Sequence, residues 1–511
     1  MELSILDICL FLAFFAVTIG TSLYKSRRGE TGEDFFLASR GLMWPLIGLS
    51  LIAANISSEH FVGMAGQGAG IAGMAMASYE WMAAITLVIV AFIFLPKFLR
   101  CGIYTIPEYL EYRYNATARA IMAFYMVMIY AFVLIAAVIY SGALTLFTLF
   151  DMNLTFAVWV IGCVATLYTT WGGLKAVAWA DIFQGSALLL GGLITMILGF
   201  HAVGGVGSFF EHNADKLHVI LPRDHPVVPW TALIVGLWIP NFYYWGLNQF
   251  IAQRALAAKT LRQGQYGIIF AAFLKLLIPF IIIFPGIMAA QLYKEQLSVT
   301  SDAAYPLLIR NLIPGGLRGF IFAALTGAVI SSLASMLNSA STIFTMDLYK
   351  RHFNKDASQH SLVTVGRIMT IVFVLIGCII APQLGAERFK GIFNYIQEFQ
   401  GFISPGILAA FVFSLIIKRT PPAAGVAALI MNVPIYGFLL KYFGEIAFLN
   451  RMAITFVLVL IIMTIITLIK PLKEPKTLPE RAGFDMEQSP RVLWLGIVVI
   501  AITIALYIFF W

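Results

Sequence analysis

Residues 42–70, LMWPLIGLSLIAANISSEHFVGMAGQGAG, are long and apolar enough to cross a bilayer, yet a polar run from Asn55 to His60 interrupts them midway. An unpaired polar group in hydrocarbon costs several kcal/mol, so an ordinary spanning helix has no use for such a run. A helix broken where it lines a cavity does. The break frees backbone carbonyls for a cation and sets helix ends beside a substrate. This stretch predicts a membrane carrier.

Composition supports the same class, with 60% apolar residues, 11% charged residues and a mean hydropathy of +0.89, values of a polytopic membrane protein. Segments of about 20 residues or more, enough to span, fall at 4–24, 42–69, 75–99, 119–149, 154–173, 176–203, 230–250, 267–291, 318–345, 363–385, 388–417, 421–442, 446–469 and 492–511. The expected fold class is therefore an all-α membrane protein with 14 transmembrane helices. The first apolar run has neither a basic leader nor a small-residue cleavage site, so it reads as a retained helix. Cys9, Cys101, Cys163 and Cys378 are scattered, with no CxxC and no His at ligand spacing, and suggest neither disulfides nor a metal site.

The net charge of +8 could suggest a nucleic-acid partner, but its distribution excludes that reading. Of the 33 Lys and Arg residues, 23 fall at odd-numbered connections between spans and nine at even-numbered ones, with Lys275 alone well inside a span. The positive-inside rule makes the odd connections cytoplasmic and places both termini on the outer face. Outer loops near 204–229 and 292–317 have room for short helices, and 470–491 reads as a Lys-, Pro- and Glu-rich inner linker. Five spans after the first polar break comes a second, in TALIVGLWIPNFYYWGLNQF, where Pro240 removes a backbone donor and Asn241, Tyr243, Tyr244, Trp245, Asn248 and Gln249 crowd an apolar helix. Five is odd, so the second unit runs through the membrane in the opposite sense. Paired breaks in inverted halves point to a midplane site.

The runs SLIAANISSEHFVGMAG, SYEWMAAITL, YTIPEYLEYRY, TTWGGLKAVAWADIFQG, YYWGLNQFIAQRALAAK, ISSLASMLNSASTIFTMDLYK and YIQEFQGFISPGILA closely resemble the sodium/solute symporter family, over about residues 5 to 470. The resemblance implies the five-plus-five inverted repeat of the leucine-transporter type, with discontinuous first and sixth core helices. On that reading 1–41 is an accessory helix and inner loop, 42–203 the first repeat, 204–417 the second, and 418–511 three accessory helices with the linker 470–491.

A sodium ion needs several oxygens, and neutral ones suffice where helix ends and carbonyl dipoles converge. In SSLASMLNS, Ser331 and Ser332 lie one turn beyond Ala328, which puts two hydroxyls and the Ala328 carbonyl on one helix face. Spacing alone is equally consistent with small residues letting two helices pack closely. The resemblance selects the ion and adds the carbonyls of Ala53 and Ile56. It also implies, from Asp181 and Ser335, a second cation site or an exit route and inner-gate network; Ala334, where some relatives have a hydroxyl, favours one sodium per sugar.

A sugar requires neutral or paired hydrogen-bonding groups around its hydroxyls and an aromatic face. The resemblance assigns His60, Glu80, Asn241, Lys275 and Gln397 to sugar contact and Tyr244 to stacking and the inner gate. Trp245 adjoins that gate, and Met64, Tyr79 and Phe393 form an outer lid. Glu80 and Lys275 are of opposite sign within spans, where ionised groups are expensive unless paired or wet, though either is near enough to an end to snorkel. Asn248, Gln249 and Gln400 read as helix-packing groups. The expected activity is sodium-driven symport of galactose or glucose across a bacterial inner membrane, with sodium as coupling ion, and no nucleic-acid or obligate protein partner is evident. Another neutral polyol such as myo-inositol, a uniporter and a sensor are the alternatives. No nucleophile, base and oxyanion set suggests an enzyme.

Overall fold

A computed structural model of the chain describes residues 4–26, 37–57, 59–150, 152–298, 301–384 and 392–511. Ser58 of the polar run, residue 385 of one expected span and residues 388–391 of the next lie outside them. The described residues are helical, with two isolated bridges, Leu42 to Ala258 and Leu221 to Pro229, and no strands. Helices are the expected answer in lipid, where each backbone N–H and C=O has to find its partner within its own segment.

In chain order the helices are α1 (Ile5–Ser26), α2 (Trp44–Asn55), α3 (His60–Ala69), α4 (Gly73–Cys101), α5 (Ile106–Arg113), α6 (Ala116–Phe147) and α7 (Leu154–Ala202). They continue with α8 (Val206–His212), α9 (Trp238–Phe242), α10 (Gln249–Leu256), α11 (Leu261–Leu292), α12 (Ala304–Leu312) and α13 (Arg318–Phe353). The last six are α14 (Gln359–Ile380), α15 (Ile392–Gln400), α16 (Ser404–Ile416), α17 (Pro422–Tyr442), α18 (Phe448–Ile469) and α19 (Pro490–Phe509). Among the described residues ten helices are long and apolar enough to cross a membrane, or twelve if the bent pairs α2–α3 and α15–α16 each form one span.

The polar run does break its helix. Ile56 takes an extended conformation (φ −81°, ψ 102°) while its N–H still bonds to the Ile52 carbonyl, and the chain turns 58° into α3. Ser57 starts the outgoing helix: its carbonyl accepts the His60 N–H at 3.0 Å and its hydroxyl the Glu59 N–H at 3.4 Å. The short α2 packs against α11, α7, α10 and α13, which makes it the centre of the bundle. α3 is pinned to α11 at a point where only glycine fits, since a Cβ on Gly286 would lie 2.2 Å from the Ala65 carbonyl oxygen. α1 lies outside against α7 and α13, α17 and α18 pack together beside α16, and α19 lies on α11 and α4.

Two expectations differ from the structure. The second break falls at Asn248 (φ −82°, ψ 124°) and not at Pro240, which stays helical within α9. Pro240 sits in the first turn after the wide turn Ala232–Gly236, where a missing N–H leaves no bond unmade. Between the expected spans 154–173 and 176–203 the backbone stays helical, so both lie in the 49-residue α7, whose apolar pieces are Leu154–Thr166 and the membrane-length Leu174–Ala202.

Candidate functional site

Residues flanking the first break and residues just before the second line one interior cavity. Its lining includes Asn55, Glu59, His60 and Met64 from the first break, Tyr79 and Glu80 from α4, Asn241, Tyr244 and Trp245 from the second broken segment, and Phe393, Gln397 and Gln400 from α15. Every residue expected to contact sugar or form a gate is among them except Lys275, which lies directly behind. The Lys275 ammonium is fully buried on α11, donates to Asn55 Oδ1 and Glu80 Oε2, and stands 4.8 Å from the Trp245 ring centroid. Neither Lys275 nor Glu80 snorkels; each supplies the countercharge that permits the other inside the bundle.

A polar chain crosses the cavity from this pair. Asn55 Nδ2 donates to the Tyr244 hydroxyl at 3.0 Å, while Asn55 Oδ1 accepts from Lys275. On the other side His60 Nε2 lies 3.7 Å from Glu80 Oε1. Tyr244, Asn55, Lys275, Glu80 and His60 therefore form one connected series beneath the space a ligand would take. On the opposite wall, Tyr79 and Phe393 meet edge to face at 4.9 Å between centroids, with Met64 buried beside them. Asn241 Nδ2 bonds to the Leu237 carbonyl, leaving its amide oxygen for other partners.

Next to Phe393, Asp302 is 4% exposed and accepts the Ile392 N–H at the start of α15. It also meets α3, because a Cβ on Gly66 would stand 3.0 Å from Asp302 Oδ1. Burial pushes the Asp302 carboxyl up to about 6, against the lowering effect of that backbone bond.

Sequence reasoning passed over Glu59 and Gln400 as cavity residues. Gln400 lies three residues after Gln397, so the shared helix face was the available signal. Asn248 and Gln249 do pack between helices: Asn248 Oδ1 accepts from the Tyr130 hydroxyl, and Gln249 bonds to the Ile106 N–H and the Tyr104 carbonyl.

The residues expected to hold sodium lie where the C-terminal end of α2 meets α13. Ala53, Ile56, Ala328, Ser331 and Ser332 are all at most 1% exposed, and Ser332 Oγ donates to the Ala54 carbonyl at 3.1 Å. This set is made of neutral hydroxyl and carbonyl oxygens at the negative end of a helix dipole, which suits a small hard cation. Ser331 Oγ instead donates to Asp181 Oδ1. Asp181 and Ser335, expected as a second site or exit route, are engaged by Arg254, whose Nη2 lies 3.1 Å from Asp181 Oδ2 and 2.6 Å from Ser335 Oγ. Arg254 Nε also reaches Ser50, which donates to Asp181. The guanidinium thus sits between Asp181 and Ser335.

Comparison with known proteins places this architecture. A family model described as "Sodium:solute symporter family" matches residues 35–431. A sodium/glucose cotransporter of Vibrio parahaemolyticus is 39% identical over all of this chain and 99% of its own length. A sodium/myo-inositol cotransporter 2 of Sus scrofa is 33% identical over 84% of this chain and 68% of its own. The fold matches that of a Na+-coupled sialic acid symporter solved in a substrate-bound outward-open state, with a TM-score of 0.80 and 21% identity over 93% of this chain and 100% of the other. With the family model and the full-length relative in agreement, the chain belongs to the sodium:solute symporter family of multi-pass membrane transporters.

Proposed function

We propose that this chain drives uptake of a neutral monosaccharide, galactose or glucose, by coupling it to the entry of one sodium ion through alternating access. One observation carries the reading. The break in α2 joins the Ser332 and Ala54 contact on one side to the polar series of Tyr244, Asn55, Lys275, Glu80 and His60 on the other. A sodium ion held by the Ala53, Ile56 and Ala328 carbonyls with Ser331 and Ser332 steadies the end of α2, and with it the sugar wall. His60, Glu80, Asn241, Lys275 and Gln397 bind the ring hydroxyls, Tyr244 stacks on the ring beside Trp245, and Met64, Tyr79 and Phe393 cover it. Each ligand favours the other because both stabilise one arrangement.

A single sodium is sufficient. A tenfold gradient supplies about 1.4 kcal/mol and 100 mV about 2.3 kcal/mol, together enough for a gradient of several hundredfold in a neutral solute. Occupation of Asp181 by Arg254 supports that stoichiometry. Two extended breaks, at Ile56 and Asn248, support the inverted repeat within fourteen crossings, and the Lys and Arg distribution supports outer termini in a bacterial inner membrane.

The test is uptake of labelled galactose and glucose into proteoliposomes with and without an inward sodium gradient, in the wild type, Ser332→Ala and Gln397→Ala. Sodium-driven accumulation lost in both variants is expected. Uptake indifferent to sodium refutes the coupling. A second reading, myo-inositol as the solute, is favoured by the relative of that name; competition by unlabelled myo-inositol in the same vesicles separates the two.

A further inference from the structure

One carboxylate in the cavity stands outside the polar series. Glu59 follows the break in α2, is 9% exposed and lines the cavity with Asn241, Tyr244, Gln397 and Gln400. Its carboxylate meets the Ser57 hydroxyl, but Oε2 has no hydrogen-bond partner among the described residues. The nearby cations are already engaged. Lys275 is held by Glu80 and Asn55, Arg254 by Asp181 and Ser335, and the His60 ring nitrogen Nε2 faces Glu80. Two carboxylates therefore share a cavity with one lysine that is paired to the other of them.

A buried carboxylate without a countercharge costs several kcal/mol, and one neutral hydroxyl offsets little of that cost. A ligand offsets more. Resting on the sugar reading of this same cavity, we infer that Glu59 is a substrate-contacting, specificity-determining residue. It accepts hydrogen bonds from neighbouring hydroxyls of a neutral polyol, and its charge excludes carboxylated sugars. Two carboxylate oxygens match two adjacent hydroxyls, and hydrogen bonds to an ionised acceptor are roughly twice as strong as neutral ones. A uronic acid would bring a further negative charge into a space whose lysine is already paired, so it enters without a countercharge.

The experiment measures sodium-driven uptake of labelled galactose, glucose and myo-inositol, and inhibition by unlabelled galacturonate, in the wild type, Glu59→Gln and Glu59→Asp. The wild type is expected to ignore galacturonate. Glu59→Gln is expected to raise KM for the transported polyol about tenfold and to let galacturonate compete. Glu59→Asp keeps the charge one methylene back and is expected to raise KM while still excluding galacturonate; it carries the test if the glutamine variant does not fold. An unchanged KM in the folded variants, with galacturonate still excluded, overturns the role of Glu59 and leaves the sugar reading standing. Absence of sodium-driven uptake of all three polyols by the wild type overturns both.

Discussion

Replacing Lys275 by methionine leaves Glu80 and the Asn55 carbonyl oxygen without their ammonium donor in a site where Glu80 is 3% and Lys275 0% exposed. Breaking a buried ion pair by removing one partner costs about 3–5 kcal/mol, whereas removing both charges is often close to neutral. Glu80→Gln is expected to cost the same through the ammonium it strands. With about 2.1 cal/mol/K of unfolding entropy per residue, a chain of 511 residues changes by about 1.1 kcal/mol per degree. Each single variant then melts about 3–5 °C lower, while the Lys275→Met/Glu80→Gln double variant returns to within about 2 °C of the wild type. Thermal unfolding of detergent-purified protein, followed by intrinsic tryptophan fluorescence, reads all four corners of the cycle. Sodium-driven sugar uptake is expected to be lost in all three variants, which separates stability from function. A double variant that falls by the sum of the two single losses would show that the two charges do not compensate each other.

The carboxyl of Asp302, raised to about 6 from 3.8, binds its proton more tightly in the folded protein than in the unfolded chain. Its contribution is present in full below about pH 4 and is lost as pH rises to about 6, roughly 3 kcal/mol in all; the melting temperature of the wild type should therefore fall across that window more steeply than that of Asp302→Asn, and equal slopes refute the assignment. Gly286→Ala drives a methyl group into the Ala65 carbonyl and is expected to lower sugar uptake at least tenfold, while Gly207→Ala, with open space around its Cβ, leaves uptake unchanged. Arg254→Gln empties the position beside Asp181, Ser331 and Ser335. Sodium-to-sugar flux ratios measured with both labels are expected to rise from one toward two, and a ratio fixed at one shows that the guanidinium is not what keeps a second ion out.

How much of this was legible depended on whether the signal was local. The polar run around Asn55 announced the first break because nothing apolar explains it, and the opposite charges of Glu80 and Lys275 called for each other once both lay within spans. Pro240 misled because proline breaks a helix only where its missing N–H would have been used, and the preceding wide turn removes that need. Arg254 falls in an expected inner loop by sequence, yet is 1% exposed. Its burial is decided by Asp181, 73 residues away, and no local pattern encodes that pairing. Glu59 and Gln400 were overlooked for the same reason, since whether a polar side chain meets a neighbouring helix or an open cavity depends on how helices cross.

Asn55 is the last residue of α2, one position from Ile56 and adjacent to the Ala54 carbonyl that Ser332 contacts, and its amide also touches both Lys275 and the gate tyrosine. On the proposed assignment the two shells are thus joined through one residue, whose backbone neighbours belong to the ion side and whose side chain belongs to the wall of the solute cavity. On that assignment divergence is constrained unevenly: changes on α15, at Gln397 or Gln400, are expected to retune which solute is accepted without disturbing the ion, whereas a change at Asn55 is expected to alter recognition and coupling together. Redesign toward a new cargo is best begun on α15, with the end of α2 left intact.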